Sequence, residues 1–282
     1  MNFHEQNQSI SIHLENLKII SEIFSEHQKI TLFEHEWLGK ILVINDEIQH
    51  IENYQEFYHE QLVHLPISLI PKVEDVLIIG GGSLFAAYEI LKYPTVKKLV
   101  LCDYDHMVLN LMKKHYAHAN KVLNDPRFYY IEQDAHDFIS NEQSKYDLII
   151  NDCFNLSMES QKHGVSYYKL LSDLTKNGGV CSDVIYRHIF DKKTNKDSLD
   201  LLKQEQGFKI SLINIPEYPG IFHLQTIWGD KELRKDITIP KNQVQLDFMH
   251  NKKEISFNLY LPNFLEFYFF IPPYIKNLFN EI

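Results

Sequence analysis

Basic residues and cysteines are both scarce in this chain. Its 28 Lys and Arg stand against 38 Asp and Glu, a formal net charge of −10. Such a balance repels a phosphate backbone, so no nucleic acid polymer is expected as a partner. The three cysteines, Cys102, Cys153 and Cys181, lie far apart, as reduced thiols of a cytoplasmic protein do, and exclude a disulfide framework. No signal peptide is expected in Met1–Ile10, which is polar and acidic, without an apolar run behind a basic cluster. Nor is there the stretch of ~20 apolar residues that a bilayer requires. The most apolar segment, Phe264–Phe279, is broken by Glu266, Pro272-Pro273 and Lys276. It reads as a packed terminal helix or an oligomer contact, and no membrane partner is expected. The 15 histidines are scattered. His115 and His118 share a predicted helix face with no third ligand nearby, so they read as solvated surface and no metal site is expected.

What is present is a globular composition, 44% hydrophobic, with 16 Tyr and 18 Phe, enough for a large core and a concave site. Residues 10–52 read as short strands, among them Lys29–Glu34, Lys40–Ile44 and Glu47–Ile51, with a hairpin signal at Asn45-Asp46. Apolar Phe57, Leu62, Leu65 and Leu69 predict a helix over Tyr54–Ile70 that Pro71 stops. The division is therefore placed at residues 1–71, a β-rich domain with a linking helix, and 72–282, a larger domain with a C-terminal extension. In the second part, strands at Val76–Ile79, Leu99–Cys102, Phe128–Glu132, Tyr146–Ile150 and Val180–Ile185 alternate with helices at Leu84–Tyr93 and His106–Ala119. A further helix is predicted over Asp197–Gln206, and Phe208–Ile215 with Phe222–Trp228 reads as an antiparallel pair. The fold class is α/β: an open, mainly parallel sheet, which binds ligands beyond the carboxyl ends of its strands.

Those strand ends carry the chemistry. Gly80-Gly81-Gly82-Ser83 follows the first strand, and three glycines permit a tight turn with close approach of a ligand to the backbone. Asp103 ends the second strand, where a carboxylate accepts hydrogen bonds from ribose hydroxyls; it could instead cap a helix. Asp134 follows the third strand, facing either an adenine amino group or the N-terminus of a helix over Ala135–Ser140. Asp152 follows the fourth. Three carboxylates at successive strand ends converge on one crevice, and with the glycine turn they predict an adenosyl ligand.

The ordered motifs resemble those of the spermidine synthases. Gly39–Ile44, Ile48-Gln49 and Tyr58-His59-Glu60 look like that family's N-terminal region. Val76–Gly82, Asp103-Tyr104-Asp105, Asn124–Arg127, Gln133-Asp134-Ala135, Tyr146–Asp152, Ser166-Tyr167-Tyr168 and Ile215–Pro219 continue the pattern to about residue 230. The resemblance implies a Rossmann-like S-adenosylmethionine-dependent transferase sheet with a small N-terminal β domain. It also implies transfer of the aminopropyl group of decarboxylated S-adenosylmethionine to putrescine, with release of methylthioadenosine. By resemblance, Gln28, Gly80, Gly81, Gly82, Ser83, Asp103, Tyr104, Asp134 and Ala135 line the donor site, Asp152 is catalytic, and Tyr58, His59, Asn155 and Tyr218 line the acceptor cavity. Homodimers or homotetramers through the N-terminal strands are implied too.

Departures from the pattern shape the expected substrates. The Asp that holds the donor's ammonium in the family is Ser83 here, the second Asp of the loop after Asp152 is Asn155, and the acidic pair before Tyr58 is Tyr54-Gln55. The family's pattern is scarcely recognisable in Phe248–Leu261. Fewer carboxylates at these positions predict an acceptor other than a simple diamine, for example a peptidyl-nucleotide phosphate, although a phosphate would be repelled by Asp152. Ser83 would not repel the carboxylate of intact S-adenosylmethionine, so either the intact or the decarboxylated donor is expected, with transfer of an aminocarboxypropyl or an aminopropyl group. An ordinary polyamine synthase acting on putrescine, a methyltransferase and an inactive adenosyl-ligand-binding protein are the alternatives.

Overall fold

The computed structural model describes residues 1–4, 11–186, 188–205, 208–218, 222–229 and 255–279. Strands β1 (Phe3–His4) and β2 (His13–Leu14) form a small antiparallel pair. An antiparallel sheet follows, built from β3 (Lys18–Phe24), β4 (Lys29–His35), β5 (Gly39–Ile44) and β6 (Glu47–Ile51) in sequence order. Asn45 and Asp46 both adopt positive φ, 49° and 62°, as a two-residue hairpin turn between β5 and β6 requires. One face of this sheet buries Phe33, Ile41, Val43 and Ile48 in a core of its own.

Helix α1 (Gln55–Leu69) then leads into the larger unit, with Pro66 inside it. Its Leu62, Leu65, Leu69 and Val63 join the main core against β7 (Asp75–Gly80) and α2 (Phe85–Leu91). Glu60 on α1 is 1% exposed and accepts the backbone N–H groups of Asn258, Leu259 and Tyr260 at 2.6–2.7 Å. The C-terminal segment is thus fastened to the linking helix through a buried carboxylate.

The central sheet has seven strands in the order β12-β13-β11-β10-β7-β8-β9. Strands β8 (Lys98–Asp103), β9 (Phe128–Glu132), β10 (Tyr146–Asp152) and β11 (Thr175–Ile185) run parallel with β7. Strands β12 (Phe208–Ile213) and β13 (His223–Trp228) close the other edge as the predicted antiparallel pair. Runs such as Val76–Ile79 and Leu148–Ile150 are fully buried, because helices cover both faces of a parallel sheet.

Several helix boundaries differ from those expected. The helix predicted over His106–Ala119 is two, α3 (His106–His115) and α4 (Ala117–Leu123). Tyr116 breaks it with an extended backbone (φ −129°, ψ 129°), placing its buried ring among Phe85, His50 and His118. His118 therefore is not solvated surface: it stacks on Phe85 at 3.8 Å. Helices α5 (Ala135–Asn141), α6 (Leu156–His163) and α7 (Tyr167–Asp173) follow β9 and β10, the last two unforeseen. Helix α8 spans Lys192–Leu202, earlier than predicted, because Asp191 caps it through the N–H of Thr194; Gln206 lies outside the described residues. At the C-terminus, short helices at Leu265–Tyr268 and Pro273–Leu278 bury Leu265, Ile271, Ile275 and Phe279 and expose Phe264, Phe267 and Phe270. Among the described residues, no helix is long and apolar enough to cross a membrane.

Candidate active site

Strand order reverses between β7 and β10. The two ends meet in register, Asp152 opposite Gly80, and a crevice of about 1080 Å³ opens beyond them. This is the position where an open α/β sheet binds its ligand. The glycines are required by shape. Gly80 and Gly81 adopt φ of +74° and +75°, and a Cβ on Gly80 would overlap Cys153 Cβ and sit 2.8 Å from the Asp152 carbonyl oxygen. A Cβ on Gly82 would stand 3.0 Å from Asp103 Oδ2. Leu84 continues the turn in the left-handed region at φ 65° before α2 begins.

Asp152 is the focus of a hydrogen-bonded triad. Tyr58 on α1 donates to its Oδ1 at 2.7 Å, Tyr186 just past β11 donates to the same oxygen at 3.3 Å, and the two hydroxyls bond to each other. Burial pushes the Asp152 carboxyl up to about 6, the tyrosine hydrogen bonds pull it down, and the charge of Asp103 raises it further. A carboxylate so poised can accept a proton near neutral pH. Tyr186 packs edge-on against Tyr218 at 5.9 Å, and His59 backs Tyr58 at 4.8 Å. His59 is held by Nδ1 to the Gln55 carbonyl and burial lowers it to about 4, so it is a neutral wall.

On the other side Asp103 accepts the N–H of Asp105 at 3.0 Å, and burial raises its carboxyl to about 6. Asp105, 1% exposed, gathers Ser25 Oγ at 2.6 Å and Gln28 Nε2 at 2.8 Å. Gln28 Oε1 in turn accepts from Tyr104 at 3.0 Å. The N-terminal sheet is thereby tied to the end of β8, and Gln28 is held over the crevice.

Of the residues expected from sequence, Gln28, Gly81, Gly82, Ser83, Asp103, Tyr104, Asp152, Tyr58, His59, Asn155 and Tyr218 line this one crevice. Gly80 lies directly beneath it. Asp134 and Ala135 follow the edge strand β9, and the charge of Asp134 reaches Tyr104 on the crevice wall. Asp134 accepts the N–H groups of His136 and Asp137, the helix-cap alternative, and is exposed. Asn155 likewise spends its Oδ1 on capping α6, accepting Met158 N at 3.0 Å and Ser157 Oγ at 2.8 Å. The Ser83 carbonyl accepts from His118 Nε2 at 3.0 Å. Sequence reasoning missed Tyr186, Asp105, Ser25 and the carboxylates Glu47, Glu159, Asp191 and Glu217, four further acids on the crevice wall. Tyr186 was findable, since it follows a predicted parallel strand as Asp103 and Asp152 do.

Comparison with known proteins agrees with this geometry. Residues 55–237 match the model of the spermine/spermidine synthase domain. A polyamine aminopropyltransferase of Buchnera aphidicola is 28% identical over 276 residues, covering 94% of this chain and 92% of that protein. A putrescine N-methyltransferase of Nicotiana tabacum is 38% identical over 136 residues, 48% of this chain and 38% of that protein. In fold, the chain superposes on spermidine synthase from Thermotoga maritima with a TM-score of 0.85 at 21% identity, covering all of this chain and 95% of that one. A spermidine synthase in complex with the transition-state analogue AdoDATO gives a TM-score of 0.84 at 22% identity, covering 99% and 94%.

Proposed function

The chain belongs to the spermine/spermidine synthase domain family, and we propose that its crevice moves an aminopropyl group from decarboxylated S-adenosylmethionine to an amine acceptor, releasing methylthioadenosine. The observation that carries this reading is the charge of the wall. Asp152, hydrogen-bonded by two tyrosines, shares the crevice with Glu47, Asp103, Glu159, Asp191 and Glu217, and the described residues of the wall include no Lys or Arg. An ammonium group is drawn into such a site, whereas a nucleotide phosphate would face six carboxylates. The acids missing from the motif positions at Ser83, Asn155 and Tyr54-Gln55 are thus replaced by acids elsewhere in the fold. The same wall offers no described cation to the carboxylate of an intact donor.

The residues fit an adenosyl donor: the side-chain-free Gly81 and Gly82 leave room against the backbone, Asp103 faces the ribose position, and Gln28 and Tyr104 close the rim. The donor supplies a carbon activated by its sulfonium. As the acceptor nitrogen bonds to that carbon, the carbon–sulfur bond breaks with its electron pair going to sulfur. Asp152 holds the attacking amine and takes its proton, while Tyr58 and Tyr186 fix the orientation of the carboxylate. Much of the acceleration is this alignment. Incubating the protein with decarboxylated donor and either putrescine or a nucleoside monophosphate, with chromatographic detection of methylthioadenosine, tests it. Release with the amine is expected; release with the phosphate alone would overturn it.

Two observations favour a second reading. Ser83 removes the family's donor-ammonium carboxylate, and the 38% identity to a putrescine N-methyltransferase spans part of the chain. On that reading the intact donor binds, and S-adenosylhomocysteine or an aminocarboxypropyl product marks it.

A further inference from the structure

Asp152 opens a short loop, residues 152–155, between β10 and α6, and both ends of that loop rest on buried polar side chains. At the near end Asn151 is fully buried, and its Nδ2 donates at 2.7 Å to the carbonyl of Phe154 and at 2.7 Å to Oδ1 of Asp183. At the far end Asn155 Oδ1 accepts from Ser157 Oγ at 2.8 Å, and Ser157 Oγ accepts from Ser198 Oγ on α8 at 2.9 Å. Asp183 lies on β11 beside Asn151, one step past the registered pair of Ile150 with Ser182. It also accepts the N–H of Val184, and burial raises its carboxyl to about 8. At neutral pH it is therefore an uncharged acid whose carbonyl oxygen still accepts a hydrogen bond. The strands leading to the pair, Leu148–Ile150 and Val180-Cys181, are apolar and buried. A polar group among them costs free energy that an apolar side chain would not. What Asp183 does for Asn151 follows from the donors. The Phe154 carbonyl and Asp183 Oδ1 both accept from one nitrogen, and only the NH2 end of an amide serves two acceptors at once. Without the acid the amide loses the partner that holds it this way round. Turned over, it would aim its own oxygen at the Phe154 carbonyl and release the loop two residues after Asp152.

We propose that Asp183 is a positioning residue for Asp152: through the Asn151 amide it fixes the turn at Phe154, and with it the place of the Asp152 carboxylate against Tyr58 and Tyr186. Asp183 lies beneath the loop and does not line the crevice, so it acts on the reaction only through what it holds. The fit of the loop against β7 makes the support effective. Cys153 stands where a Cβ on Gly80 would be, and a loop freed at Phe154 has no second seat in the sheet. This role rests on the aminopropyl-transfer reading above, in which alignment by Asp152 supplies much of the rate, and names what keeps that alignment.

Two readouts on the full-length protein test the assignment: crystal structures of the variants, which need no turnover, and steady-state kinetics with decarboxylated S-adenosylmethionine and putrescine. In Asp183→Leu, which removes the acceptor, the Phe154 carbonyl leaves Asn151 and the Asp152 carboxylate moves by about 1 Å, a misplacement that lowers kcat about 10- to 100-fold. Methylthioadenosine affinity falls much less. Asp183→Asn, whose side-chain oxygen serves the same amide, restores both the loop position and kcat. Asn151→Ser, too short to reach both acceptors, reproduces the Asp183→Leu effects and serves if that variant fails to fold. An unmoved loop in Asp183→Leu, a loss of kcat matched by an equal loss of methylthioadenosine affinity, or an Asp183→Asn variant as impaired as Asp183→Leu would overturn the proposal. A wild type that transfers no aminopropyl group overturns the proposed reaction instead, and the loop position in the variants then decides the role of Asp183 by itself.

Discussion

Replacing Gly80 by Ala should cost far more than the same change at Gly164, although both residues have positive φ, +74° and +69°. A Cβ in the left-handed region costs ~1–2 kcal/mol by itself. At Gly164, the residue after α6, nothing lies within 4 Å of the added carbon, so that backbone cost is the whole effect. At Gly80 the added Cβ overlaps Cys153 Cβ and stands 2.8 Å from the Asp152 carbonyl oxygen. Overpacking of this kind adds ~1–3 kcal/mol, bringing the total to about 2–5 kcal/mol, a large part of the ~5–15 kcal/mol that holds a typical domain together. Because the obstructed atoms are those of Asp152 and its neighbour, relief comes by pushing the Asp152 loop away from β7, and ligand binding should fall with stability. Urea melts of the two variants, with methylthioadenosine affinity measured in parallel, give the comparison. Equal losses of stability at the two positions, or unchanged ligand affinity in Gly80→Ala, would refute the argument that the glycine turn and the Asp152 loop are fitted to each other.

Tyr58→Phe removes the 2.7 Å hydrogen bond to Asp152, which holds the Asp152 carboxyl down against burial. Its kcat/KM should fall ~10- to 100-fold, from a bond worth ~1.5–3 kcal/mol, and the acidic limb of the pH profile should move above about 6; an unmoved limb contradicts this. Asp183, 1% exposed and bonded to Asn151 Nδ2 at 2.7 Å, is raised by burial to about 8. The unfolded chain releases that proton near pH 4 while the folded chain keeps it to about 8, so stability falls as pH rises across the interval. Asp152 and Glu217 share the sign but level off at about 6 and 7. Melting temperature between pH 7 and 8 should therefore decline in the wild type and flatten in Asp183→Asn. Glu60→Gln weakens three backbone hydrogen bonds to residues 258–260, and hydrogen exchange at those amides should accelerate without loss of the central sheet. Self-association through the N-terminal strands, where Phe24 and Trp37 are 71% and 69% exposed, should appear as dimers or tetramers in sedimentation and be reduced by charged residues at those two positions.

The central sheet was legible because burial on both faces leaves continuous apolar runs such as Val76–Ile79, and because glycines and acids punctuate their ends. Helices α6 and α7 were not, since their apolar positions are few and their start signals, Asn155 and Ser166, look like loop residues until the caps are seen. The break at Tyr116 is a tertiary effect: a ring packed against Phe85 and His118 overrides a sequence that could continue a helix. In the site, residues at strand ends were found and those brought in by other elements were not. Asp191, Glu159 and Glu217 come from loops and helices whose place depends on the whole fold. Counting acids only at the motif positions therefore understated the charge of the crevice. Asn155 and Asp134 carry a second task that their place after a strand does not announce, since Oδ1 of each caps a helix. The pattern at Phe248–Leu261 lies partly outside the described residues.

The measurement that bears most directly on the central claim is a single competition. The protein is given equimolar intact and decarboxylated S-adenosylmethionine with putrescine, and the products are read in one mass spectrum. An acid-walled crevice without a described cation for the donor's carboxylate predicts spermidine and methylthioadenosine in equal amounts, abolished in Asp152→Asn. N-methylputrescine with S-adenosylhomocysteine, or an aminocarboxypropyl adduct, would contradict it.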